Sequence, residues 1–197
     1  MLQMPQLRKF NGLFIKKMRL YTRGGDKGKT GLCTPDRVSK ASTRISAIGD
    51  VDELNCLIGV CHNYVSKEIS SILLILQNQL FSVGADIAVP KETEKLKWLV
   101  NSDHVKDIEK ETDKYSSKIN PQKNFVLPIG VLSANWIYLA RSVCRRAERN
   151  VVRLMEDEGT NAHLLEYLNR LSSLLFVLAR YENRNIEEPA PDYEARL

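Results

Sequence analysis

Residues 67–88, K-E-I-S-S-I-L-L-I-L-Q-N-Q-L-F-S-V-G-A-D-I-A, decide the fold. Ile69, Ile72, Leu73, Leu76, Leu80, Val83 and Ile87 recur at steps of three and four, the period of a helix with one buried stripe. Pro90 follows at once, and proline lacks the N–H that another turn would need. The same period returns on both sides. Val51, Leu54, Ile58 and Cys61 mark an earlier helix, which Asp50 with Glu53 predicts to open on a capping box. Asn101, Ser102 and Asp103 cap a shorter, charged helix with Val105, Ile108 and Tyr115 on its inner face. Pro121 and Pro128 bracket a loop that holds Phe125. A fourth helix spans about 131–157 and ends at Gly159, and a fifth runs over about 161–183. No strand alternation longer than a few residues, no repeat and no low-complexity block breaks the pattern. The expected fold is all-α, a bundle of five helices. Residues 174–179, L-L-F-V-L-A, are apolar all round that fifth helix, which predicts cover from a second subunit.

At 197 residues the chain suits one domain with a real core. We divide it into a disordered basic tail (1–17), a helical domain (18–188) and a C-terminal tail (189–197). The first 25 residues carry six cations (Arg8, Lys9, Lys16, Lys17, Arg19, Arg23) without serine or a clean amphipathic repeat, which favours a disordered leader, or a true start at Met18, over a transit peptide. Composition is that of an ordinary soluble protein, 43% hydrophobic and 27% charged. A net charge of +5 favours an anionic partner without choosing its class. Aromatics are few and are not interleaved with cations as in single-strand binders, so nucleic acid is not expected. Nor is a membrane partner, since no segment reaches the ~18 consecutive apolar residues of a span. Cys33, Cys56, Cys61 and Cys144 form no C-x-x-C pair, which fits a reducing cytoplasm. We read Cys56 and Cys144 as small hydrophobes packed on helices. His62, His104 and His163 make no zinc spacing with them, and no Glu-x-x-His pair of the di-iron bundles occurs. A structural metal is not expected.

Two features invite chemistry. Residues 143–149, V-C-R-R-A-E-R, with Arg141 before and Arg153 after, put many cations on one helix. At about 100° per residue, Arg141, Arg145 and Glu148 share a stripe while Arg146 and Arg153 point elsewhere. Two guanidiniums one turn apart repel unless a carboxylate, a phosphate or open water receives them. A solvated face and a polyanion clamp both satisfy that condition. The second feature is T-R-G-G-D-K-G-K-T-G-L, residues 22–32. Gly28-Lys29-Thr30 imitates half of a P-loop, but the position five before Gly28 is Arg23 and no strand precedes it. A P-loop NTPase is therefore not expected. The loop still suits phosphate: glycines admit a nest of N–H groups, Lys27 and Lys29 add charge, and Thr22 and Thr30 add hydroxyls.

These blocks fall in a recognisable order. Y-T-R-G-G-D-K-G-K-T-G-L (21–32), R-V-S-K (37–40), G-D-V-D-E-L-N (49–55), F-V-L-P (125–128), A-R-S-V-C-R-R-A-E-R (140–149) and L-N-R-L-S-S-L-L-F-V-L-A-R (168–180) together resemble the ATP:cob(I)alamin adenosyltransferases of the propanediol-utilisation type. The resemblance covers about residues 18–184. It implies a ferritin-like, left-handed up-down bundle that assembles as a homotrimer with sites at subunit interfaces. It implies transfer of the 5′-deoxyadenosyl group of ATP to the cobalt of cob(I)alamin, with Mg²⁺ assisting and tripolyphosphate leaving. By the family pattern, Thr22, Arg23, Gly24, Gly25, Lys27, Thr30 and Gly31 wrap the triphosphate, with Lys40 following. Arg145, Arg146, Glu148 and Arg149 contact the nucleotide from the fourth helix, and Asn169 from the fifth. Asp52 pairs with Arg141 across the interface, and Phe125 packs by the corrin to keep the lower cobalt position empty. Implied partners are the chain itself, a flavin or ferredoxin-type reductase and a B12-dependent mutase. The chain departs from the pattern at Gly24, at 33–36 (C-T-P-D), at Ile129 and at Ser173. The alternative is a non-catalytic oligomeric module that binds ATP or a corrinoid. Phe125 and the Asp52/Arg141 pair favour the enzyme, since nucleotide binding needs neither.

Overall fold

The computed structural model describes residues 21, 23–32, 37–89, 99–187 and 189–196. Two short strands, β1 (Lys29–Gly31) and β2 (Arg37–Ser39), precede five helices: α1 (Thr43–His62), α2 (Lys67–Ala88), α3 (Ser102–Ser116), α4 (Leu132–Asp157) and α5 (His163–Glu182). The strands pair antiparallel, with Thr30 opposite Val38. At three residues each they stay within the expectation of no strand alternation longer than a few residues, and they are too short for alternation to register in sequence. The all-α class otherwise holds.

The stripe read from α2 is buried in full, from Ile69 to Ile87. It packs on α1, α1 packs on α4, and α5 lies between α4 and α3. Turns of a few residues join α1 to α2 and α4 to α5, as antiparallel neighbours in a bundle require. Among the described residues, α2 alone has the length and apolar composition to cross a membrane. Its buried stripe accounts for that composition by core packing. Leu74, Ile75 and Phe81 remain exposed on its other side.

Three expectations change. Helix α1 starts on Ser42, whose side chain accepts the Ile45 N–H at 3.4 Å, well before the expected capping box. Asp50 and Glu53 instead reach α4, because the same three-residue spacing also puts two carboxylates on one helix face. The apolar ring at 174–179 finds most of its cover within the chain: Leu174, Leu175, Leu178 and Ala179 are buried between α3 and α4, and Phe176 and Val177 are half-covered. Cys56 is exposed, whereas Cys61 and Cys144 are buried. Burial pushes the Cys61 thiol up to about 12 and the Cys144 thiol higher still, so both stay protonated.

One end of the bundle is closed by buried polar groups. Arg44 donates to the carbonyls of Ile87 at 2.5 Å and Val89 at 3.0 Å, capping α2, and pairs with Glu158 at 2.8 Å. Asp86 accepts the N–H groups of Leu99 and Val100 and the amide of Asn161, at 2.8, 2.9 and 2.9 Å. Each charge has its partners, as burial demands.

Candidate active site

The glycine loop is shaped by backbone conformation first. Arg23 adopts φ +58 and Gly28 φ +75, left-handed values at which only glycine is unstrained. Gly28 O accepts from the Lys40 N–H at 2.8 Å, which ties the residue before β1 to the residue after β2. Arg37 crosses underneath, donating to Gly24 O at 2.6 Å and Lys29 O at 2.7 Å. A side chain on Gly25 would sit 2.9 Å from the Lys40 ammonium, so glycine there lets Lys40 close over the loop. Gly31 pairs with Arg37 in the hairpin, and Thr30 is half-covered beside it. Among the described residues, Arg23, Lys27, Lys29 and Lys40 form no ion pair with a carboxylate. Thr22 and the departure at 33–36 lie outside the described residues.

On α4 the cations divide by face, as helical geometry requires. Arg146 turns toward α1, where Asp50 receives it at 3.2 Å and Glu53 binds its other nitrogen. Those two carboxylates raise its pKa further, Glu53 foremost. Asp50 also accepts from Asn150. On the other face Arg145 sits 3.9 Å from Glu148, and Glu148 accepts the Asn169 amide of α5 at 2.9 Å. Arg149 folds back onto the Arg145 carbonyl at 3.0 Å. The strip Arg145–Glu148–Asn169 is thus continuous across two helices.

Arg141, one turn before Arg145, is half-buried. Its guanidinium lies 5.4 Å from the centre of the Phe176 ring, a cation–π contact. Burial, and then the charge of Arg145, lower its pKa, and among the described residues no carboxylate pairs with it. No ion pair within the chain joins it to Asp52. Asp52 is exposed on α1, at the rim of an apolar cleft of about 470 Å³ lined by Ile45, Ile48, Leu80 and Phe81. Among the described residues it meets no cation.

Phe125 is 75% exposed on the loop between α3 and α4. It lines a cleft of about 590 Å³ together with Asn120, Arg180, Asn183 and Ile186. Among the described residues no hydrogen bond or ion pair joins Phe125 or the glycine loop to Arg145. Ser173, a departure from the pattern, donates back to Asn169 O at 3.4 Å. Sequence reasoning passed over Arg37, which knits the loop, and over Asp50 and Glu53 as partners of Arg146. Neither has a periodic signal, because both rest on contacts between elements.

A family model described as Cobalamin adenosyltransferase matches residues 20–182. The corrinoid adenosyltransferase of Bacillus subtilis is 39% identical over 171 residues, covering 84% of this chain and 87% of that one. The cobalamin adenosyltransferase of Cupriavidus metallidurans is 40% identical over 168 residues, with 84% and 89% covered. Among solved structures, a variant PduO-type ATP:corrinoid adenosyltransferase of Lactobacillus reuteri, complexed with cobalamin and ATP, superposes with a TM-score of 0.84. That match has 32% identity and covers 90% of this chain and 100% of the other. The glycine loop, the divided arginine helix and the exposed aromatic thus stand in a chain whose matches span nearly its whole length: it belongs to the cobalamin adenosyltransferase family.

Proposed function

We propose that the chain transfers the 5′-deoxyadenosyl group of ATP to the cobalt of cob(I)alamin, releasing tripolyphosphate. The observation that carries this reading is the asymmetry on α4. Arg146 is neutralised by two carboxylates, whereas Arg141 and Arg145 are left with charge to spare beside Glu148 and Asn169. Folding alone gives no reason to hold two cations one turn apart, and a polyphosphate does.

Cobalt(I) is a strong nucleophile, so no side chain need act as general base or form a covalent bond. The tasks left are to hold the ribose C5′ in line with cobalt and to stabilise the charge on the departing phosphates. Arg23, Lys27, Lys29 and Lys40 on the loop, with its backbone N–H groups, suit the phosphate end. Arg145, Glu148 and Asn169 suit the nucleotide, with Arg149 beside them. Arg146 acts as the tie between α4 and α1. Among the described residues no group of His, Cys, Asp and Glu converges as a metal cage. Mg²⁺ would accompany the triphosphate and neutralise charge there.

Among the described residues neither Asp52 nor Arg141 forms an ion pair, and pairing between copies would account for both. We assign the working form as a homotrimer in which Asp52 of one copy meets Arg141 of the next. Phe125 packs against the corrin and excludes the lower cobalt ligand, which eases reduction of cob(II)alamin. The enzyme works in the cytoplasm, where a flavin or ferredoxin-type reductase supplies the electron and a B12-dependent mutase uses the product.

The test is direct. Protein, ATP, Mg²⁺ and chemically reduced corrinoid are mixed, and the absorbance change of Co–C bond formation is followed. The expected result is ATP-dependent conversion to adenosylcobalamin. No conversion with ATP binding intact leaves a binding module without transfer chemistry.

A further inference from the structure

Three side chains at the C-terminal end of α5 and its cap tie down other segments. Arg180 donates to Asn120 O at 3.1 Å. Glu182 accepts from Ser133 at the start of α4 (2.7 Å) and from Ser66 at the start of α2 (3.2 Å). Asn183, only 1% exposed, turns its carboxamide onto the backbone around Gly130. Its Nδ2 donates to Ile129 O at 2.9 Å, and its Oδ1 accepts the Val131 N–H at 3.1 Å.

This is the two-bond pattern that a neighbouring strand would offer, made by one buried side chain. Gly130 is needed for it on two counts. Its φ is +151, and a Cβ there would overlap the Asn183 carboxamide. Val131 caps α4 without a side-chain bond of its own, so Asn183 orders the entrance of the helix that carries Arg141 and Arg145. The chain beyond α5 holds the same segment from a second side, since the Leu127 N–H donates to Pro189 O at 2.9 Å. Ile129 contributes only its carbonyl to Asn183, so the departure from the family turn at that position leaves the clamp intact.

We propose that Asn183 is a positioning residue for the transfer reaction. By clamping Gly130 it fixes the loop of Phe125 in register with α4, so the aromatic ring is held against the corrin while Arg145 holds the nucleotide. The proposal rests on the corrin-side reading of Phe125. Arg145 lies fourteen residues along α4 from Val131, about 21 Å at the helical rise, so ATP affinity should be insensitive to the clamp.

The test compares Asn183→Ala, Gly130→Ala and Phe125→Ala in the full chain. Binding of cob(II)alamin in the presence of ATP is followed by absorbance and electron paramagnetic resonance, which report the fraction lacking the lower ligand. In Asn183→Ala that fraction should fall about tenfold, the scale set by losing one or two hydrogen bonds, with the KM for the corrinoid rising and ATP affinity kept. The Val131 amide should exchange hydrogen about tenfold faster, as an opened helix entrance does. Gly130→Ala should match it, and the double variant should add little, since both break one clamp. If Asn183→Ala keeps the parental fraction and KM while Phe125→Ala abolishes that fraction, the proposal is overturned. If Phe125→Ala itself changes nothing, the corrin-side reading fails and the proposal falls with it. Should Asn183→Ala not fold, Asn183→Asp is judged by the same criteria, because it keeps the acceptor for Val131 and loses the donor to Ile129.

Discussion

Arg44 and Arg141 are both arginines on packed helices, and their surroundings are opposite. Arg44 is buried with two carbonyls and a carboxylate around its guanidinium. Arg141 is half-buried on an aromatic ring, with a like charge one turn away and, among the described residues, no carboxylate paired with it. A cation placed for stability brings its counter-groups within its own chain, because an unpaired charge out of water is costly. A cation placed for binding leaves that requirement open, to be met by a ligand or another copy. On α4 the same division runs between Arg146, paired twice, and Arg145, whose nearest carboxylate oxygen is 3.9 Å away.

Substituting the two kinds of arginine should therefore change different observables. Arg44→Met leaves the carbonyls of Ile87 and Val89 without donors in a buried place, at about 1–3 kcal/mol each. We expect a loss of about 3 kcal/mol or more and a melting temperature lower by roughly 10 °C. Turnover per folded molecule should be kept. Calorimetry and assay on one preparation check both. Arg145→Ala is the mirror case. A charge-assisted bond to phosphate is worth about 1.5–3 kcal/mol, so kcat/KM should drop roughly 10- to 100-fold. Its melting temperature should stay near that of the parent. An Arg145→Ala protein that melts early yet turns over normally would erase the distinction between the two classes.

Asp52 and Arg141 sharpen the comparison, because among the described residues neither forms an ion pair. Asp52→Arg or Arg141→Asp alone should weaken assembly and activity together. The charge-swapped double variant should recover part of the loss, with a coupling of about 1 kcal/mol. Sedimentation and the adenosylation assay read the two effects. Single variants with unchanged assembly and full activity would overturn the proposed pairing between copies.

How much of this was legible in the sequence depends on how local each signal is. The stripe of α2 repeats every three to four residues, so the helix was readable to its ends at Lys67 and Ala88. Asn101 was readable as a cap because its bonds to Asp103 and His104 fall within three residues. Asp50 and Glu53 carried the right spacing for a cap but met Arg146 from another helix, a contact at a separation of 96 residues for Asp50. Arg37 under the glycine loop and Asn183 behind Gly130 were invisible for the same reason. The split of Arg145 from Arg146 did follow from helical angles alone. What each side met did not.

The smallest predicted effect lies on a third kind of charge, paired yet exposed. Glu68 accepts from Lys118 at 2.8 Å and from Tyr181 at 3.2 Å, and Lys118 first, then the hydroxyls of Tyr115 and Tyr181, hold its pKa down to about 2. The sign follows from linkage. A carboxyl with a depressed folded pKa adds stability above its unfolded value, near 4.3, and that contribution is lost as pH falls toward about 2. Glu68→Gln should therefore flatten the stability profile between about pH 5 and pH 2 and change little at neutral pH beyond what salt already screens. Both side chains are well exposed, 45% for Glu68 and 39% for Lys118, so the flattening should be slight and should fade at high ionic strength. A variant profile that tracks the parent through that window at low salt would show that the pair's geometry carries no free energy. Burial with full pairing, as at Arg44, would then be what lets a charge stabilise this fold.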